Sequence, residues 1–255
     1  MARLELVSLE KVGTIRAGDD LARIVAASCA AMGLTLAEGD VVVLAQKIVS
    51  KSEGRFAVLD EVQPSARAQE LAARCLKDPR YVELVLRESR EVLRTVPGVL
   101  IVEDRRGLVL ANAGVDQSNV EPDERGRERA LLLPVDPDAS AARLRAALRA
   151  VAGVDVAVII NDSLGRAWRQ GTIGTAIGAA GLPGLLDLRG EPDRIGRKLQ
   201  ITEVGMADEL AAAASALMGQ SAEGRPIVLI RGVPYPRREG NATELQRPRE
   251  KDLFR

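Results

Sequence analysis

Three short aliphatic runs, VVVLA (41–45), VDVAVII (154–160) and PIVLIRG (226–232), constrain this chain more than any other feature. Each is too short for a helix, and the first is apolar at every position, without the alternation of a strand wetted on one side. Such a run reads as a buried strand. Helical patterns fill the intervals. Leu21, Ile24, Val25, Ser28, Cys29 and Met32 recur at helical spacing after Gly18-Asp19-Asp20, whose acids suit a helix N-terminus. Two further helices are expected over about 65–77 and 80–95, the second opened by Asp78 as N-cap and Pro79 at the first helical position. Asp136-Pro137 opens another, to about Val151, and Met206 to Met218 is an alanine-rich helix with Asp208 and Glu209 in its first turn and Gly219 at its end. VLIVED (99–104), Arg105-Arg106-Gly107 and LVLAN (108–112) predict a β-hairpin. Residues 121–129 read as an exposed charged loop, the Gly-rich 165–190 as a loop system, and 236–255 as a polar tail. The fold class is therefore α+β (mixed α/β), in an order that matches no Rossmann repeat.

The 255 residues suffice for one large or two small domains with a proper core. Lys+Arg and Asp+Glu balance at 36 each, so no global field draws in nucleic acid or an anionic membrane. Aromatic residues are only 2%, too few for base-stacking platforms. No N-terminal apolar signal and no membrane-length run occurs, which implies a cytoplasmic protein. Cys29 and Cys75 lie in helix-like patterns and read as small buried hydrophobes in a reducing compartment.

The chain contains no histidine. Ser-His-Asp hydrolysis, His-type zinc sites and HExxH metalloproteases are thereby excluded, and two cysteines make thiolate zinc improbable. A metal here would be held by oxygen, which favours magnesium, manganese or calcium. No GxxxxGK[ST] occurs, so there is no P-loop, and no GxGxxG follows a strand.

Four stretches could carry chemistry. In IINDSLGRAWRQG (159–171) an aliphatic strand ends at Asp162 and Ser163, then Gly165, Arg166, Trp168 and Arg169 follow. A carboxylate and arginines at a strand end need partners. The pattern favours a metal on the acid and an anion on the arginines, with Trp168 as packing. In AQKIVSKSEGR (45–55), Gln46, Lys47, Ser50, Lys51 and Gly54-Arg55 could cradle phosphate. Taken alone, an ordinary solvated strand exit is the better account of them. In ANAGVDQSNVEP (111–122), Asp116 and Asn119 suit a metal or ligand loop and suit an Asx-type turn just as well. MGQSAEG (218–224), with Gln220, Ser221 and Glu223, reads by itself as a helix C-cap and loop.

Together these stretches resemble one family, the coenzyme F420-0:L-glutamate (γ-glutamyl) ligases. The matching elements are GDDL (18–21), GD at 39–40 followed by AQKIVSKSEGR, NAGVDQSNV (112–120), LLLPVDPDASAARLR (131–145), IINDSLGRAWRQGTIGTAIG (159–178) and ADELAAAASALMGQSAEGRP (207–226), in order across nearly the whole chain. The resemblance implies a single ligase unit over 1–255, with the family's two-domain fold of intimately packed subdomains and no fused C-terminal reductase domain. It implies a GTP-dependent enzyme that joins L-glutamate to the carboxylate of the deazaflavin precursor F420-0 through an acyl phosphate and extends a γ-linked tail. Two divalent cations, manganese or magnesium, fall by resemblance on Asp116, Asp162, Ser163 and Gln220, and potassium is a further expected cation. GTP contacts fall on Glu10, Lys11, Val12 and Gly13, on Gln46, Lys47, Lys51 and Asn119, and on Met218, Gly219, Gln220, Ser221, Ala222, Glu223, Gly224 and Arg225. Asp116 and Asp162, with Arg166 and Arg169 to neutralise anions, are the expected catalytic set. A homodimer with no nucleic-acid or membrane partner completes the expectation.

Overall fold

A computed structural model of the chain describes residues 3–252. Its centre is a five-stranded sheet of β1 (Glu5–Ser8), β2 (Val41–Ala45), β8 (Ala157–Arg166), β9 (Arg169–Ala180) and β12 (Ile227–Arg231), in the order β1-β12-β2-β8-β9. Strands β2 and β8 are parallel, and every other neighbour pair is antiparallel. The helices α1 (Leu21–Ala31) and α5 (Pro137–Ala152) cover one face, and α6 (Met206–Met218) covers the other. This explains the uninterrupted run VVVLA. Val42 and Leu44 enter the core beneath α1 and α5, whereas Val41 and Val43 enter the core beneath α6.

A second layer lies beside this sheet. After β2 the chain turns at once into α2 (Gln46–Ser52), then β3 (Phe56–Val58), α3 (Ala66–Cys75) and α4 (Pro79–Arg87). The strands β4 (Ser89–Val96), β5 (Val99–Asp104) and β6 (Val109–Ala111) form a three-stranded sheet, and β7 (Arg129–Leu131) pairs with β3. Leu71, Cys75, Tyr81, Val82, Val85, Leu100 and Val102 make a core of their own between α3, α4 and β5. A small excursion closes on β10 (Leu186–Asp187) and β11 (Glu203–Val204).

The predicted caps form. Asp20, Asp78 and Asp136 accept the N–H of Arg23, Arg80 and Ala139 respectively, and Gly219 ends α6 with φ +74°. Cys29 and Cys75 are buried free thiols. Three expectations change. The helix expected over 80–95 stops at Arg87, because Val92, Thr95 and Val96 pair across β5. The polar tail is docked: the carboxylate of Asp138 accepts the N–H of Ala242 and Thr243 and the Thr243 hydroxyl, and Ala242 is buried.

The third change matters most for the site, since much of the Gly-rich 165–190 is strand β9 rather than loop. Its glycines admit helices against both faces. A Cβ on Gly174 would stand 2.5 Å from the Ala211 carbonyl of α6, and one on Gly178 would stand 2.5 Å from Pro137 of α5. Gly174→Ala is expected to cost roughly 1–3 kcal/mol by overpacking. Thermal unfolding of the variant checks this; an unchanged melting temperature would mean that α6 can retreat freely.

Candidate active site

The strand directions gather the separated sequence segments at one rim. β1, β2 and β8 run the same way and β12 runs against them. The loop after β1 (Glu10–Gly13), helix α2 after β2, the end of β8 and the 218–225 loop before β12 therefore all leave the same edge of the sheet. Two hydrogen bonds mark that edge, Leu9 N–H to Ile227 C=O (2.9 Å) and Ala45 N–H to Pro226 C=O (2.8 Å). Between this rim and the second layer lies a cleft of about 610 Å³. Gln46, Asp116 and Ser118 line it together with Asp162 and Ser163.

Helix α2 was not expected from the sequence, and it decides where the lysines point. Lys47 and Lys51 are one turn apart and share a face. The Lys47 ammonium pairs with the Asp116 carboxylate at 2.7 Å and donates to the Ser118 hydroxyl at 2.5 Å. Lys51 donates to the carbonyl of Asn119 at 2.8 Å, and Asn119 itself is left-handed with φ +57°. The two lysines thus tie α2 to the 112–119 loop. Asp116 is also wrapped by its own loop, accepting from Ser118 N–H at 2.7 Å and Ser118 O–H at 3.0 Å. Both readings of this loop hold at once: it is an Asx-type turn, and its acid faces the cleft.

The charges at the site are unevenly compensated. Burial acts to raise the Asp116 carboxyl, but the Lys47 ammonium and the Ser118 donors outweigh it and hold the group below its usual range. Burial lowers the Lys51 ammonium, Glu121 opposes that, and Lys47 and Arg129 add to it. Asp162 has no cation within ion-pair distance among the described residues. Burial pushes its carboxyl up to about 6; the Ser163 N–H opposes this, the charge of Asp116 reinforces it, and the more distant charge of Lys47 opposes it weakly.

Because side chains alternate along a strand, the neighbours Asp162 and Ser163 face opposite ways. Asp162 looks toward Asp116, while the Ser163 hydroxyl donates at 2.7 Å to the side-chain carbonyl of Gln220, just past the end of α6. The Gln220 amide in turn donates to Ser215 at 3.0 Å. This stretch of β8, where it passes the end of β2, therefore carries two oxygen clusters: the carboxylates Asp116 and Asp162, and the neutral oxygens of Ser163 and Gln220. Among the described residues no three of His, Cys, Asp and Glu gather as a metal-binding group. Any cation here would need ligand oxygens from a substrate as well.

Other expected site residues lie further out. Glu10 and Lys11 are exposed, Lys11 and Gly13 have positive φ, and Val12 packs toward the core beneath α1. Ser221, Ala222, Glu223, Gly224 and Arg225 are exposed on the loop entering β12, where Glu223 accepts the Ser221 N–H at 2.8 Å. Arg166 and Arg169 face each other across the exposed tip of the β8–β9 hairpin, beyond Gly165 and Thr172, which line the cleft. Trp168 occupies that turn with φ +63° and is 86% exposed, so it is not the packing residue expected. Arg55 is spent within the protein, its Nε on the Leu133 carbonyl and its guanidinium on Glu88, and it does not cradle phosphate. Sequence reasoning missed Lys77, Tyr81 and Thr172, which also line the cleft. Lys77 and Tyr81 belong to a helix pair read only as core, and Thr172 to a segment read as loop.

The family described as F420-0:Gamma-glutamyl ligase matches residues 10–232. The chain is 44% identical over 254 residues to the coenzyme F420:L-glutamate ligase of Methanothermobacter thermautotrophicus, covering 99% of each protein. It is 47% identical to the enzyme of that name from Methanopyrus kandleri, covering 99% of this chain and 97% of the relative. The Archaeoglobus fulgidus protein of the same name is 41% identical at the same coverage. With this site at the rim and this extent of match, the chain belongs to the F420-0:gamma-glutamyl ligase family.

Proposed function

We propose that the chain is a GTP-dependent ligase that joins L-glutamate to the carboxylate of F420-0 through an acyl phosphate and extends a γ-linked tail, within coenzyme F420 biosynthesis. The observation that carries this reading is the convergence of Lys47, Lys51, Asp116 and Asp162 on one rim, with the two acids lining the cleft and the two lysines tied to the Asp116 loop beside it. An amide forms from a carboxylate and an amine only if the carboxylate is first activated, and phosphoryl transfer is mostly positioning and charge neutralisation. The lysines and the 218–225 loop supply positive charge and backbone N–H groups for the nucleotide, and Gln46, buried at the start of α2, fixes the wall beside them.

The donor set suits hard divalent cations, manganese or magnesium, since Asp116, Asp162, Ser163 and Gln220 all offer side-chain oxygen and Asp162 has no ion-pair partner among the described residues. Asp116, Asp162, Ser163 and Gln220 would hold them, and such ions supply neutralisation of phosphate charge. Their binding should weaken as pH falls below about 6, where a proton competes for Asp162. Potassium belongs to the reading without an assigned residue. A homodimer is part of it too, supported by the exposed apolar side chains Trp168, Ile195 and Ile201. A cytoplasmic setting is also proposed. No helix of the described residues is long and apolar enough to cross a membrane.

Incubation with GTP, Mn²⁺, L-glutamate and F420-0 tests the proposal. Mass spectrometry should show the precursor gaining glutamyl units while GDP accumulates. GDP release without a mass increment, or neither, would overturn it, and equal kcat/KM for ATP would remove the guanine preference. Lys51→Ala should weaken GDP binding without lowering the melting temperature by more than a few degrees, because its single hydrogen bond is exposed. Wild-type GDP affinity in that variant would take Lys51 out of the nucleotide site.

A further inference from the structure

We infer that Lys77 anchors a carboxylate of the incoming amino acid, at the end of the cleft formed by α3 and α4. Lys77 is half-buried and, among the described residues, is the only lysine or arginine lining the cleft. It has no acidic partner within ion-pair distance among the described residues. The adjacent acid, Asp78, does not serve it. That carboxylate caps α4 and is held by the Arg80 guanidinium at 2.7 Å, which keeps it below its usual range.

The position of Lys77 is built. Leu76, which ends α3, is left-handed with φ +57° and is 76% exposed, an unfavourable state for a bulky apolar residue that directs the next residue over the cleft. There the Lys77 ammonium stands 5.1 Å from the centroid of the buried Tyr81 ring. The Tyr81 hydroxyl donates to the carbonyl of Val115, the residue before Asp116. Lys77 thus sits one aromatic ring away from the acidic loop, across the cleft from β8. A half-buried ammonium over an aromatic face, lining the cleft and lacking a counterion among the described residues, suits an anionic ligand group.

The choice of ligand group rests on the ligase reading. In that reading Lys47 and Lys51, on the rim outside the cleft lining, serve the nucleotide, so the cation that does line the cleft meets an anion of another substrate. An amino acid whose amine attacks beside Asp162 carries its carboxylates outward along the cleft, toward Lys77. The phosphodiester of the deazaflavin precursor is the other possible source of negative charge, and the kinetics separate the two.

Steady-state ligation by the full chain tests the inference with Lys77→Met, Lys77→Gln and Lys77→Arg. Loss of a charge-assisted hydrogen bond should raise KM for glutamate about tenfold or more in the Met and Gln variants. KM for GTP and for the precursor should stay within about twofold, and Lys77→Arg should recover most of the loss. An unchanged glutamate KM, a rise confined to the precursor, or an Arg variant no better than Met would overturn the inference. If Lys77→Met fails to fold, Lys77→Gln decides. Absence of ligation by the wild-type chain would sink the ligase reading instead. The inference would then be judged by glutamate alone: a rise in melting temperature seen in wild type and lost in Lys77→Met upholds it, and no difference overturns it.

Discussion

Asp162→Asn should lower kcat/KM for ligation by at least about 100-fold, some 3 kcal/mol of transition-state stabilisation, while the protein remains folded. The sequence suggests a strand ending at this acid, but β8 continues to Arg166. Asp162 lies within it, paired with Thr175 of β9, and the preceding Ala157 to Ile160 are fully buried and hold the backbone in place. Asparagine keeps the shape and can still accept the Ser163 N–H, which Asp162 now accepts at 2.8 Å. Only the charge is lost. Since burial already raises the Asp162 carboxyl to about 6, removing that charge relieves a desolvation cost, so the melting temperature should hold or rise. Steady-state kinetics with a Mn²⁺ titration and thermal unfolding check both halves. Turnover within a few-fold of wild type, with unchanged metal dependence, would remove Asp162 from the chemistry.

The largest expected effect on stability lies elsewhere, at Arg106. This residue closes the turn between β5 and β6 and is itself buried along its length. Its Nε pairs at 2.6 Å with Asp104, whose side chain is fully buried, and Nη1 reaches Glu88 and the Pro134 carbonyl, each at 3.1 Å. Glu88 also receives Arg55, so one network joins α2's exit, the end of α4 and the hairpin. Among the described residues, Arg106→Ala leaves the Asp104 carboxylate with only the backbone N–H groups of position 106 and Leu108 as donors. Breaking a buried pair from one side typically costs about 3–5 kcal/mol, roughly 10 °C in melting temperature for a chain of this size. Because β6 leads directly into the 112–119 loop, Mn²⁺ affinity should fall as well. A melting temperature within about 3 °C of wild type would show that solvent replaces the guanidinium.

The sequence shows elements wherever one local signal dominates. The Asp caps with Pro79 and Pro137 locate three helices, and the aliphatic runs identify β2, β8 and β12, because a strand buried on both faces has no polar alternation to confuse. The site was partly legible for the same reason: an acid ending an apolar strand stands out, and so does a chain without histidine. Lys47 and Lys51 were visible as residues, but their direction was not.

By itself, then, the sequence determined the chemical vocabulary of oxygen ligands, lysines and arginines, the α+β class and the family. Tertiary structure decided the rest, because those features depend on pairs distant in the chain. Only β9's partners on both faces make a strand of glycines that locally favour a loop. Only pairing with β5 turns 89–96 from helix into strand. Only the pleat of β8 sends Asp162 and Ser163 to different oxygen clusters, and only the antiparallel course of β12 brings Gln220 to meet Ser163. Lys77 is a cleft residue solely because α3 and α4 fold over the rim, and no local pattern encodes a contact of that kind.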